Sequence, residues 1–294
     1  MPSTAITRRG APTRPRLTYR DPIDIKGLIA FLGLRAVPGV EEVVDGGYRR
    51  SLRLPHGPGV VELQPAHGFV DACFWLSDRC DLPVAVERSR ALLDLDSDPL
   101  AVMASLGPDP VIGGLVRATP GRRVPGHVDG DELALRAVLG QQVSVTAATT
   151  LAARLVAAHG EPLERPIGTV THLFPTATAL ASIDHRTLAM PAARQRAVVG
   201  LAAALACGDV RLDGGADREG AKRALLALPG IGPWTASYVA MRALGDADAF
   251  LPTDLGVRRG LEALGHDGRP AAAAALAEGW RPYRAYAVQH LWAH

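Results

Sequence analysis

The run Leu228-Pro229-Gly230-Ile231-Gly232-Pro233-Trp234-Thr235-Ala236 sets two glycines, one residue apart, between an amphipathic segment and a proline suited to the first position of a helix. This is the pattern of a helix-hairpin-helix. Its glycines bare backbone N–H groups and let a DNA phosphate approach them beside the positive end of the second helix. Such a turn grips nucleic-acid backbone and carries no base sequence information. About 20 residues on, Phe250-Leu251-Pro252-Thr253-Asp254-Leu255 places an aspartate at the start of a helix carrying Val257, Leu261 and Leu264. The helix N-terminus favours its negative charge. Two roles are open to Asp254: a carboxylate held ready for chemistry, or a plain helix cap.

The elements that must position these residues fall into two styles. Arg16 to Tyr19, Tyr48 to Leu54, Val60 to Gln64 and Gly68 to Ser77 read as strands, with a turn at Pro55 to Gly59. Helices are expected over Ile25 to Arg35, from the spacing of Ile25, Leu28, Ile29 and Leu32, and around Val84 to Leu93. The first hundred residues are thus an α+β unit on one antiparallel sheet. From about residue 98 the chain reads as nearly all helical, with Ala/Leu segments punctuated by Gly and Pro. Ser144 is suited to cap one of these helices and Gly160 to close it.

At 294 residues, 48% hydrophobic and 21% charged, the chain has the composition of a globular protein of two or three folding units. No apolar run approaches the roughly 18 residues of a membrane span. Met1 to Arg16, with Arg8, Arg9, Arg14 and Arg16 among Pro and Thr, reads as a mobile leader lacking a signal peptide's apolar stretch, so the protein is expected in the cytosol. Cys73, Cys80 and Cys207 give no disulfide framework and no set of four cluster ligands. A net charge of +2 gives no bulk argument for nucleic acid. His-Glu-x-x-His, Gly-x-Ser-x-Gly and P-loop patterns are absent, which removes the metalloprotease, hydrolase-fold and nucleotide-triphosphatase readings.

The hairpin followed by Phe250-Leu251-Pro252-x-Asp254 resembles the signature of the helix-hairpin-helix DNA base-excision glycosylases. Leu139-Gly140-Gln141-Gln142-Val143-Ser144-Val145, Gly126-His127-Val128-Asp129, Pro282-Tyr283-Arg284-x-Tyr286-Ala287 and Gln289-His290-Leu291-Trp292 extend the resemblance to the 3-methyladenine DNA glycosylase II branch, over about Leu17 to Trp292. The resemblance implies an α+β N-terminal domain similar to half of a TATA-binding protein (17–104). Two helical subdomains would enclose a cleft, one of 105–128 and 247–294 carrying Asp254, the other of 129–246 carrying a wedge loop and the hairpin. It implies a monomeric, monofunctional, nucleoid-associated enzyme that flips alkylated bases such as 3-methyladenine and 7-methylguanine from double-stranded DNA. The N-glycosidic bond is then hydrolysed, leaving an abasic site.

By the same resemblance, Asp254 is catalytic, and Trp234, Tyr238 and Trp292 line the base pocket. Pro229, Gly230, Ile231, Gly232 and Thr235 would hold the DNA backbone, with Gln141 and Gln142 as the wedge. No cofactor is required. A structural Na+ or K+ on the carbonyls of Leu226, Leu228 and Ile231 is implied. Gln142 stands where better-known members carry Leu; it can fill the gap or hydrogen-bond the orphaned partner base, while a solvated turn is the plainer reading of Gln141 and Gln142. Aromatic faces attract a cationic base, but helical spacing also suits core packing, the preferred reading for Tyr283 and Tyr286. The chain's only lysines are Lys26 and Lys222, and Trp234 occupies the place of the Schiff-base lysine of bifunctional relatives. A non-catalytic hairpin module and a glycosylase/lyase are the alternatives.

Overall fold

The structure, a computed structural model, describes residues 11–294. Residues 1–10, including Arg8 and Arg9 of the expected leader, lie outside the described residues. The end of that leader is held on the sheet: Thr13 exchanges backbone hydrogen bonds with Phe74 at 3.0 and 2.8 Å, and Arg16 opens the first strand.

Strands β1 (Arg16–Thr18), β2 (Glu41–Val44), β3 (Gly47–Leu54), β4 (Gly57–Ala66) and β5 (Phe69–Leu76) form one antiparallel sheet in the order β1-β5-β4-β3-β2. Two departures from expectation concern pairing. β2 pairs with β3 through the two-residue turn Asp45-Gly46, and β4 begins at Gly57, because Gly57 and Pro58 already face Leu54 and Arg53. Helices α1 (Ile25–Leu34) and α2 (Leu82–Leu92) cover one face, where Leu28, Ile29, Leu32, Ala85 and Leu92 join Leu52, Leu63 and Phe74 in a core. The expected α+β unit is present.

The remaining helices are α3 (Pro99–Leu106), α4 (Gly113–Ala118), α5 (Gly130–Leu139), α6 (Val145–His159), α7 (Ala177–Ala181), α8 (Ala192–Cys207), α9 (Arg218–Leu226), α10 (Pro233–Ala243), α11 (Leu255–Ala263), α12 (Pro270–Ala277) and α13 (Arg284–Trp292). The helical reading missed one hairpin, β6 (Glu161–Ile167) paired with β7 (Val170–Leu173). Pro162, Pro166 and three charges hide its alternation, and its Leu163, Val170 and Leu173 pack on Val60 from the far face of the sheet. One helical core gathers around α5, α6, α8 and α10, another around α11, α12 and α13 with Trp280 at its centre. Among the described residues, no helix is long and apolar enough to cross a membrane.

A buried charge network ties the sheet to α5. Arg50 on β3 donates to Glu41 at 3.1 Å and to Glu132 of α5 at 2.7 Å, while Arg136 of α5 donates to Glu41 at 3.0 Å and Glu132 at 2.8 Å. Burial opposes ionisation of Glu41, but Arg136 and Arg50 outweigh it and its pKa is lowered. His127 touches the same group through Glu132, and burial, with Arg50 and Arg136 beside it, holds its pKa well below the ordinary imidazole value. Glu41, His127 and Glu132 lie close enough together to suit a metal, but both carboxylates are already paired with guanidinium groups.

Removing one partner of a buried pair leaves an uncompensated charge. Arg50→Met should therefore cost about 3–5 kcal/mol in urea denaturation, whereas Arg186→Met, in an exposed pair with Asp184, should leave the denaturation midpoint nearly unchanged. Equal small losses would show that the network does not hold the domains.

Candidate active site at the hairpin

Pro233 fixes the first turn of α10, which places Trp234 and Tyr238 one turn apart on the same helix face. Their rings stack at 5.2 Å with 12° between planes. Asp254 caps α11, its Oδ1 accepting the Val257 N–H at 2.9 Å. Two indoles converge on the same carboxylate. Trp292, the last residue of α13, donates Nε1–H to Oδ1 at 2.7 Å, and Trp234 donates Nε1–H to Oδ2 at 2.9 Å. A carboxylate offers about four lone-pair positions, so three are filled and one on Oδ2 is left.

Gly256 makes this approach possible. A Cβ there would stand 2.6 Å from Cδ1 of Trp292, closer than any real contact. Tyr238 lies 6.3 Å from Trp292, ring centre to ring centre, so the three aromatics surround Asp254 in a cavity of about 400 Å³.

The sequence reading missed part of this cavity. Phe31 of α1 stacks on Trp292 at 6.0 Å and 14°, and the Arg35 guanidinium lies 3.7 Å over the Phe31 ring. Arg242, nearly fully buried on α10, donates to the Tyr238 hydroxyl at 2.8 Å and to the carbonyls of Pro125 and Gly126 at 2.8 and 2.9 Å. Burial opposes ionisation of Tyr238, but Arg242 and Arg35 outweigh it and lower its pKa below the usual phenol value. Burial also lowers the pKa of Arg35. The signals were present in sequence: Phe31 and Arg35 sit four apart off the apolar stripe of α1, and Arg242 follows Tyr238 by four on a face that is otherwise aromatic and apolar.

The hairpin joins α9 to α10. Pro229 and Gly230 are exposed at its tip, and Gly230 needs to be glycine, since its φ is +85° and a Cβ would meet that of Ala197 at 2.8 Å. Ile231 is buried and donates its N–H to the Leu228 carbonyl at 3.1 Å. Gly232 opens onto empty space. Thr235, expected to face DNA, has its side chain buried, with its hydroxyl accepting a hydrogen bond from Gln141 at 2.9 Å.

The loop between α5 and α6 lies beside this hairpin. Gln142 is exposed and has φ +54°, a left-handed conformation that costs a non-glycine residue about 1–2 kcal/mol. Val143, next to it, lines the cavity mouth together with the exposed Leu255. Gln141 differs from Gln142: its amide faces the hairpin, so the two are not equivalent members of a wedge. Tyr286 is buried and donates to Asp94 at 2.8 Å, away from the cavity.

Residues 14–129 match the family model described as the AlkA N-terminal domain. The chain is 50% identical over 277 residues to the "Probable bifunctional transcriptional activator/DNA repair enzyme AlkA" of Mycobacterium tuberculosis, covering 94% of this chain and 56% of that protein. It thus spans little more than half the length of that relative. It is 36% identical over 282 residues to DNA-3-methyladenine glycosylase 2 of Escherichia coli, covering 94% of this chain and 95% of that one. In structure it is similar to the 3-methyladenine DNA-glycosylase of Archaeoglobus fulgidus, with a TM-score of 0.82 at 22% identity over 95% of this chain and 97% of that one.

The hydrogen bonds of Asp254 set the cost of altering it. Asp254→Asn keeps an oxygen for the cap but turns an NH2 toward one indole, and should cost about 1–2 kcal/mol; Asp254→Ala, which strands the cap and both indoles, should cost about 2–4 kcal/mol. A denaturation midpoint of Asp254→Asn equal to that of the wild type would show that the indole contact it disrupts contributes nothing to the fold.

Proposed function

The chain belongs to the AlkA, or DNA-3-methyladenine glycosylase 2, family, and from that premise we propose that it is a monofunctional glycosylase releasing alkylated bases from double-stranded DNA. The observation that carries this reading is the convergence of two indole N–H groups on Asp254 at the floor of an aromatic cavity beside the hairpin. A helix cap uses one carboxylate oxygen and needs no indoles, so the non-catalytic module accounts for less of the geometry.

A base within a duplex shields its glycosidic bond, and the nucleotide must leave the stack at a cost of about a few kcal/mol. The hairpin tip at Pro229 and Gly230, beside the positive end of α10, grips the phosphodiester backbone, and Gln142 with Val143 fills the space left behind. The extruded base enters the cavity among Trp234, Tyr238 and Trp292. A ring alkylated at nitrogen is cationic, which favours the aromatic faces and makes it a good leaving group. Arg35 and Arg242 beside the Tyr238 hydroxyl oppose positive charge at that end, so the cationic ring is oriented away from it.

Bond cleavage builds positive charge on the sugar, as in glycoside hydrolysis. Asp254, fixed in place before the reaction, stabilises that charge, and its remaining lone-pair position on Oδ2 accepts a proton from the attacking water. The base departs and an abasic site remains. Lys222, on α9, precedes the hairpin, and Trp234 occupies the position from which a lysine would attack the sugar. Strand cleavage therefore does not follow.

The carbonyls of Leu226, Leu228 and Ile231 lie at the C-terminal end of α9 and in the turn, where the helix dipole is negative. Neutral oxygen donors in that field fit Na+ or K+, which would hold the turn and supply no chemistry; no other cofactor is required. The protein acts as a monomer in the cytoplasm, at the nucleoid.

Asp254→Asn should lower the single-turnover release of 3-methyladenine or 7-methylguanine at least about a hundredfold, while affinity for undamaged duplex holds or rises with the lost negative charge. Release near the wild-type rate would remove Asp254 from the mechanism. Product DNA should keep an intact strand at the abasic site, and borohydride should trap no protein-DNA adduct; abundant adduct would establish a lyase.

A further inference from the structure

Gln141 stands where three elements meet. Its side-chain amide donates one hydrogen to the Gly230 carbonyl at 3.0 Å and the other to the Thr235 hydroxyl at 2.9 Å. Its own carbonyl accepts from the Arg194 guanidinium at 2.6 Å, and its N–H donates to Val138 at the end of α5 at 3.2 Å. The amide's donors are both used within the protein, so Gln141 has none left for DNA.

Those partners have consequences on each side. Gly230 is the exposed tip of the phosphate-gripping turn, and Thr235 follows Trp234, which holds Asp254. On the other side, Gln142 is held left-handed, a conformation that persists only where its neighbours fix it. Ser144, capping α6 through the Ala147 N–H at 3.2 Å, fixes the loop from its far end. Gln141 and Arg194 fix the near end.

We infer that Gln141 is a positioning residue that holds the base-flipping loop in register with the phosphate-gripping hairpin, an inference that rests on the glycosylase reading. Loss of its amide leaves the hairpin free to bind phosphate, because duplex affinity is set by backbone contacts. It lets the Gln142 and Val143 tip leave the conformation that backfills the stack. Extrusion of a paired base therefore suffers, and the steps after extrusion do not.

The test compares the full-length protein with Gln141→Leu and Gln141→Asn on one lesion in two settings, within a paired duplex and opposite a one-nucleotide gap, where nothing need be unpaired. A fluorescent adenine analogue beside the lesion reports extrusion, and duplex affinity and melting temperature are measured in parallel. Both variants should lose roughly tenfold in extrusion and in release from the paired duplex, with less than about a threefold loss opposite the gap. Thr235→Val should lose a similar amount, and Gln141→Leu combined with Thr235→Val no more than either alone. Equal losses in both settings, additive losses, or no loss would overturn the inference. If the wild-type protein releases no base at all, the glycosylase reading fails, and the fluorescence of wild type against variants still decides the positioning role.

Discussion

One carboxylate accepting three hydrogen bonds is the constraint around which the functional half of the molecule is built. Asp254 must start α11 to receive the Val257 N–H, α10 must bring Trp234 to Oδ2, and α13 must end with Trp292 against Oδ1. Trp234 and Trp292 lie 20 and 38 residues from Asp254, and the packing of their helices around Trp280, Tyr286 and Leu261 sets the angles at which the two indoles arrive. Hydrogen bonds to a charged group are each stronger than those between neutral groups, but here their main consequence is geometric. They aim the carboxylate before any substrate is present, and preorganised charge is what an oxocarbenium-like transition state requires.

The sheet domain is part of this arrangement. Arg35, from the segment between β1 and β2, lines the cavity, and Phe31 of the same segment stacks on Trp292. The buried network of Arg50, Glu41, Glu132 and Arg136 holds the sheet against α5, and α5 ends where the Gln141 loop begins. Hairpin, loop and carboxylate are therefore set relative to one another by contacts that cross from one core to the next.

Much of this was legible in the chain because it is encoded locally. The two glycines and Pro233 specify the hairpin, and Asp254 before an apolar periodic stretch specifies a capped helix. β3 is legible because Tyr48, Leu52 and Leu54 fall on alternate positions, and β5 because its run is apolar at every residue but Asp71 and is bounded by Gly68 and Ser77. The hairpin β6–β7 was hidden because its prolines and charges break that alternation while Leu163, Val170 and Leu173 still face Val60. Thr235 follows the turn, a position that suggests contact with DNA, but α10 rotates it inward to Gln141. Phe31, Arg35 and Arg242 carry a local signal in their four-residue spacings, but what those side chains touch depends on a domain contact that the spacing alone does not specify. The same holds for Trp234 and Trp292, whose aromatic faces suggested a pocket while their N–H groups face the carboxylate.

On the proposed mechanism the indole donors fix Asp254 for catalysis, beyond lining a pocket with their faces. Phenylalanine keeps most of the face and removes the donor, so single-turnover base release by Trp234→Phe and Trp292→Phe, measured alongside duplex affinity, tests it most directly. A hydrogen bond to a charged group contributes about 1.5–3 kcal/mol, so each variant should lose roughly ten- to a hundredfold in the rate of release with duplex affinity retained. Release by both variants at near the wild-type rate would contradict the account and return the two tryptophans to base stacking alone.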